Sequence, residues 1–239
     1  MPGLYSFWNV NLNFSDLLKT LLTLDFFGFF IAVVMGLLIF VFGGPVGIWF
    51  LLVILLFLIV SALVTRFKKR RKIAMKTYER SRNWRNVLAN GMVPLIISFI
   101  YFLNGHLDFI GAEMLVVAYV ASVAAITADK FSSEVGILDN RVYDILTLKR
   151  IKPGKSGGVS FLGLAAGALG AFIIGVVLFS FSRGMLLLLI VLVAGLVGDV
   201  GDSVLGYFEE RGFGNKYTSN FVCAAIGAVV GILLIATLL

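Results

Sequence analysis

Long apolar stretches, separated by short basic segments, constrain this chain more than any other feature of its sequence. Eighteen of its 20 Lys and Arg residues fall in the segments 66–86, 129–158 and 205–217. A bilayer core about 30 Å thick needs roughly 20 apolar residues per helix, and 60% of the residues are hydrophobic against 14% charged. We predict an all-α, polytopic membrane protein with about seven spans: Phe26–Phe42, Val46–Thr65, Val87–Leu103, Phe109–Ala128, Ser160–Phe181, Met185–Val204 and Thr218–Leu239.

The positive charges predict the orientation of these spans. Loops on the cytoplasmic side of a membrane protein carry an excess of Lys and Arg. The three basic segments are therefore predicted to be cytoplasmic loops, with the N-terminus inside. Residues 1–25 are predicted to be an interfacial lead-in, and residues 26–239 a single transmembrane domain. The third span contains Pro94 close to Asn90 and Gly91, a composition compatible with a tilted or partly re-entrant segment. The prediction is a plasma-membrane protein whose polar site faces the cytoplasm.

Composition excludes several kinds of chemistry. The net charge of +7 is read as topology plus attraction to anionic lipid head groups, and no nucleic-acid binding is expected. The single Cys, Cys223, excludes an intramolecular disulfide and a cysteine-based metal cluster. The single His, His106, is predicted to lie on the outer side. Chemistry on the inner face must therefore use carboxylates, hydroxyls, amides and cations.

One group of polar residues follows the fourth span. If that helix continues past its apolar limit, Asp129, Ser132, Ser133 and Gly136 share one face at i, i+3, i+4 and i+7 spacing. A carboxylate and two hydroxyls stacked in this way suit a hydrated divalent cation or a phosphate. The alternative is a solvated helix end with an ion pair between Lys130 and Glu134.

The sixth span ends with two carboxylates among glycines. Asp199 and Asp202 lie three positions apart, and acidic groups so close to hydrocarbon usually face a cavity, a cation or a partner. Mg²⁺ takes oxygen ligands and commonly bridges to phosphates. The pair therefore predicts a magnesium site.

Two cationic segments predict anion binding. The first, Leu148–Ser160, is basic and rich in glycine and leads into a helix, where backbone N–H groups, the helix dipole and Lys155 would converge. This segment is not a Walker A loop, because Lys149 stands where that motif needs a glycine. The alternative to an anion site is a flexible basic loop. The second opens the third span and offers amides and arginines for a phosphate or a base, namely Arg82, Arg85, Asn86 and Asn90. Its alternative is helix capping by Asn86, with Asn90 bonded to a neighbouring helix.

These motifs, taken together, resemble the phytyl-phosphate kinase family. The resemblance rests on Asn86–Gly91, Ala128–Gly136, Lys155–Ser160 with Gly163, and Gly201–Gly206, and it extends from about Arg80 to Leu239. More distantly, the chain is similar to CTP-using polyprenol kinases and to CDP-diacylglycerol synthases. The histidine of the Pro-Gly-His-Gly-Gly segment of those synthases is missing here, which argues against a cytidylyltransferase.

The resemblance implies phosphoryl transfer from CTP to an isoprenyl monophosphate, such as phytyl or geranylgeranyl phosphate, with Mg²⁺ as cofactor. On this hypothesis Asp129, Asp202 and Lys155 are catalytic. Metal ligands would come from Asp129, Glu134, Asp199 and Asp202. The nucleotide would be bound by Ser132, Ser133, Lys155, Ser156, Gly157 and Gly158, and the acceptor by Arg82, Arg85, Asn86 and Asn90. A homodimer is possible. The alternatives are an isoprenol kinase, a CTP:lipid-phosphate cytidylyltransferase and a cation-coupled transporter.

Overall fold

The computed structural model describes residues 23–78, 82–182 and 184–239 and is built almost entirely of helices there. The eight helices are α1 Phe26–Phe42, α2 Gly47–Arg66, α3 Lys69–Ala74, α4 Trp84–Leu107, α5 Ala112–Gly136, α6 Phe161–Ser182, α7 Met185–Glu209 and α8 Lys216–Leu238. A 3-10 turn, Gly44–Val46, joins α1 to α2. The prediction of an all-α, polytopic membrane fold is confirmed.

Six segments within the described residues are long and apolar enough to cross a membrane. They are Gly44–Arg66, Trp84–Leu107, Ala112–Gly136, Phe161–Ser180, Met185–Glu209 and Lys216–Leu238. Helix α1 is also apolar but has 17 residues, or about 25 Å at 1.5 Å per residue. Except for residues 23–25, the predicted interfacial lead-in lies outside the described residues.

Several helices continue beyond their predicted apolar limits. Helix α5 ends at Gly136 rather than Ala128, and α7 ends at Glu209 rather than Val204. The third predicted span is a continuous helix of 24 residues that includes Pro94, so the partly re-entrant form is wrong. Neighbouring helices allow proline inside a membrane helix, and here Pro94 is buried within the bundle.

Helix α5 is the central element of the bundle. It packs against α2, α4, α6, α7 and α8, and every residue from Val117 to Ala128 is buried. Close packing requires small residues: a Cβ atom added at Gly198 or Gly227 would lie 2.5 or 2.6 Å from the Cβ atom of Ala125. These contacts bring α7 and α8 close to α5 and thereby fix the spacing of the polar residues at their ends.

A small antiparallel sheet follows α5, where the sequence analysis predicts a loop. Its strands are β1 Val142–Asp144, β2 Arg150–Ile151 and β3 Gly158–Val159, in the order β2-β1-β3. Asp144 accepts hydrogen bonds from the backbone N–H groups of Leu146 and Thr147, at 3.1 and 2.8 Å. These bonds close the turn after β1, and the bond from Thr147 is the main reason that the pKa of Asp144 lies below its usual value. Strands this short carry no alternating pattern that the sequence could reveal.

Candidate functional site

A polar cleft of about 440 Å³ lies where α2, α5 and α7 end and α4, α6 and α8 begin. We call this the basic end of the bundle. All but one of the predicted site residues line the cleft: Arg82, Asn86, Asn90, Asp129, Ser132, Ser133, Glu134, Lys155, Ser156, Gly157, Gly158, Asp199 and Asp202. Residues far apart in sequence therefore form a single chamber.

Arg85 is the predicted substrate-binding residue that does not line the cleft. Its side chain is exposed, and its guanidinium carbon lies 5.4 Å from the centre of the Trp84 ring. Arg85 directly precedes Asn86 and therefore lies about 100° around α4 from it, so the prediction that Arg85 binds substrate is not supported.

Three aspartates from two helices meet in the cleft. The carboxyl groups of Asp129 on α5 and Asp202 on α7 are within hydrogen-bonding reach of each other. Asp199, also on α7, lines the same cleft as Ser132 and lies close enough to Asp129 for their charges to interact. Gly167 of α6 leaves the space that Asp199 needs, because an added Cβ atom would lie 2.7 Å from its Oδ2 atom.

Two of the carboxylate oxygens lack protein partners. Among the described residues, Oδ2 of Asp199 and Oδ1 of Asp202 are buried without a hydrogen bond. A buried carboxylate oxygen without a partner is costly, and three carboxylates at close range repel one another. The cluster therefore suits a ligand that supplies positive charge.

The donor set limits how a metal could be held. In the described parts of the chain, no group of three or more His, Cys, Asp or Glu side chains is arranged to hold a metal ion. Mg²⁺ is usually bound by one or two carboxylates, with phosphate oxygens and water completing its shell. The pair formed by Asp129 and Asp202 fits an ion shared with a bound phosphate rather than one enclosed by protein.

For Glu134 the structure favours the alternative, an ion pair with Lys130, over the predicted role as a metal ligand. Its Oε2 atom lies 2.6 Å from Nζ of Lys72, and its Oε1 atom lies 2.5 Å from Nζ of Lys130. Thr65 donates a further hydrogen bond to Oε1 at 2.9 Å. Both carboxylate oxygens are thus held by cations of the protein itself, so the structure does not support Glu134 as a metal ligand.

The second cation that contacts Glu134, Lys72, could not be found from sequence. Lys72 belongs to the basic segment that we interpreted as facing lipid head groups, yet it is completely buried. Its ammonium group also donates to the backbone carbonyls of Val64 and Thr65, at 3.0 and 3.1 Å. Nothing in a run of basic residues distinguishes the one that turns inward.

The glycine-rich segment packs against α7 as a wall of the cleft. Gly157 adopts a left-handed backbone conformation with φ +77°, and a Cβ atom added at Gly206 would lie 2.5 Å from its backbone nitrogen. The N–H of Ser156 donates to Oε1 of Glu210 at 3.2 Å, and the N–H of Gly158 donates to the Lys155 carbonyl at 3.2 Å. These two N–H groups are engaged within the protein, so the predicted cradle of free donors is not supported for them.

Arg82 also lines the cleft and is held there by two residues of α2. Its guanidinium donates to Oγ of Ser61 at 3.2 Å and to Oγ1 of Thr65 at 3.1 Å. Asn90 donates to the side-chain oxygen of Asn86 at 2.9 Å, so these amides are paired along one helix rather than with a neighbour. Asn83, not Asn86, caps α4.

Helix α8 adds residues for which the sequence analysis proposed no role. Lys216, Ser219 and Asn220 line the cleft, and Lys216 is close enough to act electrostatically on Asp129. Ser219 bonds to the carboxylate of Glu209. The start of α8 is rich in polar residues, a signal that indicates donors on this side but not which of them face inward.

A helical bundle of membrane length, with a buried acidic cluster and cations in a cleft at one end, defines an integral membrane protein with a polar ligand site. The chain belongs to the integral membrane protein family DUF92, whose family model matches residues 13–232.

Two relatives extend this finding. An uncharacterised membrane protein of Methanocaldococcus jannaschii is 33% identical over 194 residues, which cover 80% of this chain and 79% of that protein. Protein PGR of Arabidopsis thaliana is 28% identical over 177 residues, which cover 64% of this chain and 62% of that protein. No solved structure matches the chain significantly. Neither relative's name states a reaction, so the function must be argued from the cleft.

Proposed function

We propose that this protein is a membrane-bound phosphotransferase that moves the terminal phosphoryl group of CTP to an isoprenyl monophosphate at the cytoplasmic face. The observation that carries the proposal is the acidic cluster with two partnerless buried oxygens. It lies in the same cleft as Arg82, Lys155 and Lys216. Carboxylates for a metal and cations for phosphates are what transfer between two polyanions requires. The choice of CTP and of an isoprenyl acceptor rests on the resemblance to phytyl-phosphate kinases.

The reaction needs no general base. An oxygen of the isoprenyl monophosphate bonds to the γ-phosphorus of CTP while the bond from that phosphorus to the β,γ-bridging oxygen breaks. The products are CDP and isoprenyl diphosphate. A phosphate monoester is mostly a dianion at neutral pH, because its second pKa is about 6, so no proton has to be removed from the nucleophile. The described residues that line the cleft include no histidine, which agrees with this chemistry.

The residues of the cleft divide between the two substrates. Asp129 and Asp202 would hold Mg²⁺, which supplies charge neutralisation for the nucleotide phosphates. Lys155 and Lys216 would contact the same phosphates. Arg82, positioned by Ser61 and Thr65, would bind the acceptor phosphate next to the amides of Asn86 and Asn90.

The interior of the bundle disfavours the transporter alternative. The buried hydroxyls of Ser122 and Thr127 on α5 donate to carbonyls of their own helix, at 2.6 Å each. Together with Tyr119, these are the polar residues of α5 between Val117 and Ala128, and they are too few to give a permeating cation a continuous polar path along the central helix. The polar groups gather at the basic end instead.

The direct test is turnover by purified protein in lipid nanodiscs with Mg²⁺ and CTP. We expect CDP and isoprenyl diphosphate in equal amounts from geranylgeranyl monophosphate, and neither product from geranylgeraniol. Release of pyrophosphate instead of CDP would favour a cytidylyltransferase, and phosphorylation of the alcohol would favour an isoprenol kinase.

Charge removal tests the site itself. Asp202→Asn should lower kcat by about 10²–10³-fold, the usual loss when one electrostatic contact to a transition state is removed. Asp108→Asn is the matched control, because Asp108 is exposed at the opposite end of α4. Wild-type turnover by Asp202→Asn would refute the assignment.

A further inference from the structure

A second cavity, which we call the tail groove, lies between α1, α2 and α4. Its volume is about 70 Å³, and its wall is mostly aliphatic, with Ala32, Met35 and Ile39 from α1 and Ile54 and Leu58 from α2. The groove extends away from the basic end into the apolar part of the bundle. From Ala32 to Ile39 it follows α1 for about 10 Å at 1.5 Å per residue.

The tail groove and the polar cleft meet at shared residues. Arg82, Asn86 and Asn90 are the polar residues of the groove, and all three also line the cleft. The backbone fixes this junction: the N–H of Arg82 donates to the carbonyl of Thr23 at 2.7 Å, and the N–H of Asp25 donates to the carbonyl of Arg82 at 3.0 Å. A held guanidinium at the mouth of an apolar groove complements a molecule with an anionic head and an apolar chain.

The groove is narrow. A Cβ atom added at Gly91 would lie 2.7 Å from the terminal methyl carbon of Met35, so α1 and α4 are already in close contact at its floor. The side chain of Met35 is unbranched and adaptable. It can therefore move aside for a flexible ligand chain more easily than for a ligand with a rigid ring system. A lipid with two chains would have to leave one of them outside.

We propose that the tail groove holds the first isoprene units of the lipid phosphate whose head group lies at Arg82, and that it selects single-chain isoprenyl phosphates over diacyl ones. This inference rests on the proposed function for the identity of the head group. It adds the position of the chain and makes Ala32, Met35 and Gly91 determinants of specificity.

Filling the groove tests the proposal by kinetics. Ala32→Phe places a ring in the groove, and Val33→Phe is the matched control, because Val33 is the next residue on α1 and is 44% exposed on its outer side. Excluding even one methylene from an apolar pocket costs about tenfold or more in kcat/KM. We expect Ala32→Phe to lose at least that factor with geranylgeranyl monophosphate, with unchanged KM for CTP and unchanged turnover of isopentenyl monophosphate. Equal values for Ala32→Phe and Val33→Phe on both acceptors would overturn the proposal.

A binding experiment separates this inference from the proposed function. Wild-type protein in nanodiscs is irradiated with an isoprenyl monophosphate that carries a diazirine on its second isoprene unit, without nucleotide. We expect crosslinks in α1 and α4 that excess geranylgeranyl monophosphate suppresses and dioleoyl phosphatidic acid does not. Crosslinks at these helices without any turnover would support chain binding in the groove and reject the proposed kinase activity. Crosslinks elsewhere, or equal suppression by phosphatidic acid, would reject the groove even if turnover is found.

Discussion

The ion pair between Lys72 and Glu134 gives the sharpest prediction about stability. The ammonium group of Lys72 is fully buried, and its three hydrogen bonds go to Glu134 and to two backbone carbonyls. Glu134→Leu leaves that charge buried without a counter-charge, and breaking a buried pair in this way costs about 3–5 kcal/mol. Lys72→Met is milder, because Glu134 keeps Lys130 and Thr65. It should cost about 1.5–3 kcal/mol, the range for a hydrogen bond to a charged group.

The measurement is the free energy of unfolding in mixed detergent micelles at rising dodecyl sulfate, followed by tryptophan fluorescence. Arg70→Met is the control, since Arg70 is exposed in the same short helix and should change stability by about 0.5 kcal/mol or less. The double variant Lys72→Met, Glu134→Leu should be more stable than Glu134→Leu alone. Single losses no larger than that of the control, or strictly additive losses in the double variant, would refute the reasoning.

Two further predictions concern the walls of the site. Gly206→Leu should push the glycine-rich segment off α7, because an added Cβ atom would lie 2.5 Å from the nitrogen of Gly157. The measurement is hydrogen exchange of residues 150–160, which should become faster. The control is Gly212→Leu: Gly212 lies in open space at φ +86°, so this variant should disturb only its own turn. Asn215→Ala removes the capping box at the start of α8 and should lower the free energy of unfolding by about 1 kcal/mol. An Asn215→Ser variant that recovers most of this loss would identify the cap as the cause, and equal losses for both variants would contradict it.

Much of the candidate site could be predicted from sequence because helices have a fixed period. The spacing of Asp199 and Asp202 places both on one face of α7 wherever that helix lies. The same reasoning places Asp129 and Ser132 together on α5. Clustering of basic residues indicated that these faces share one end of the bundle, and in the structure all four residues line one cleft.

Other features depend on contacts between distant segments. Lys130 and Lys72 are both basic residues near the membrane boundary, yet only the tertiary structure brings Lys72 to Glu134, 62 positions away. The donors of the glycine-rich segment were predicted to be free, but Glu210 and the Lys155 carbonyl use two of them. Arg85 looked equivalent to Arg82, but Arg82 precedes α4 and is held inward by Ser61 and Thr65, whereas Arg85 is exposed in the first turn of that helix.

The sequence by itself determined the membrane class, the helical fold and the end of the bundle where polar chemistry is possible. Hydrophobicity and helical period are local properties, and the bilayer constrains them strongly. The tertiary structure alone decided which charges neutralise one another, which carboxylate oxygens stay without partners and where the apolar groove meets Arg82. Those outcomes depend on distances between helices, and the small residues along α5, α7 and α8 set these distances in ways that no single segment encodes.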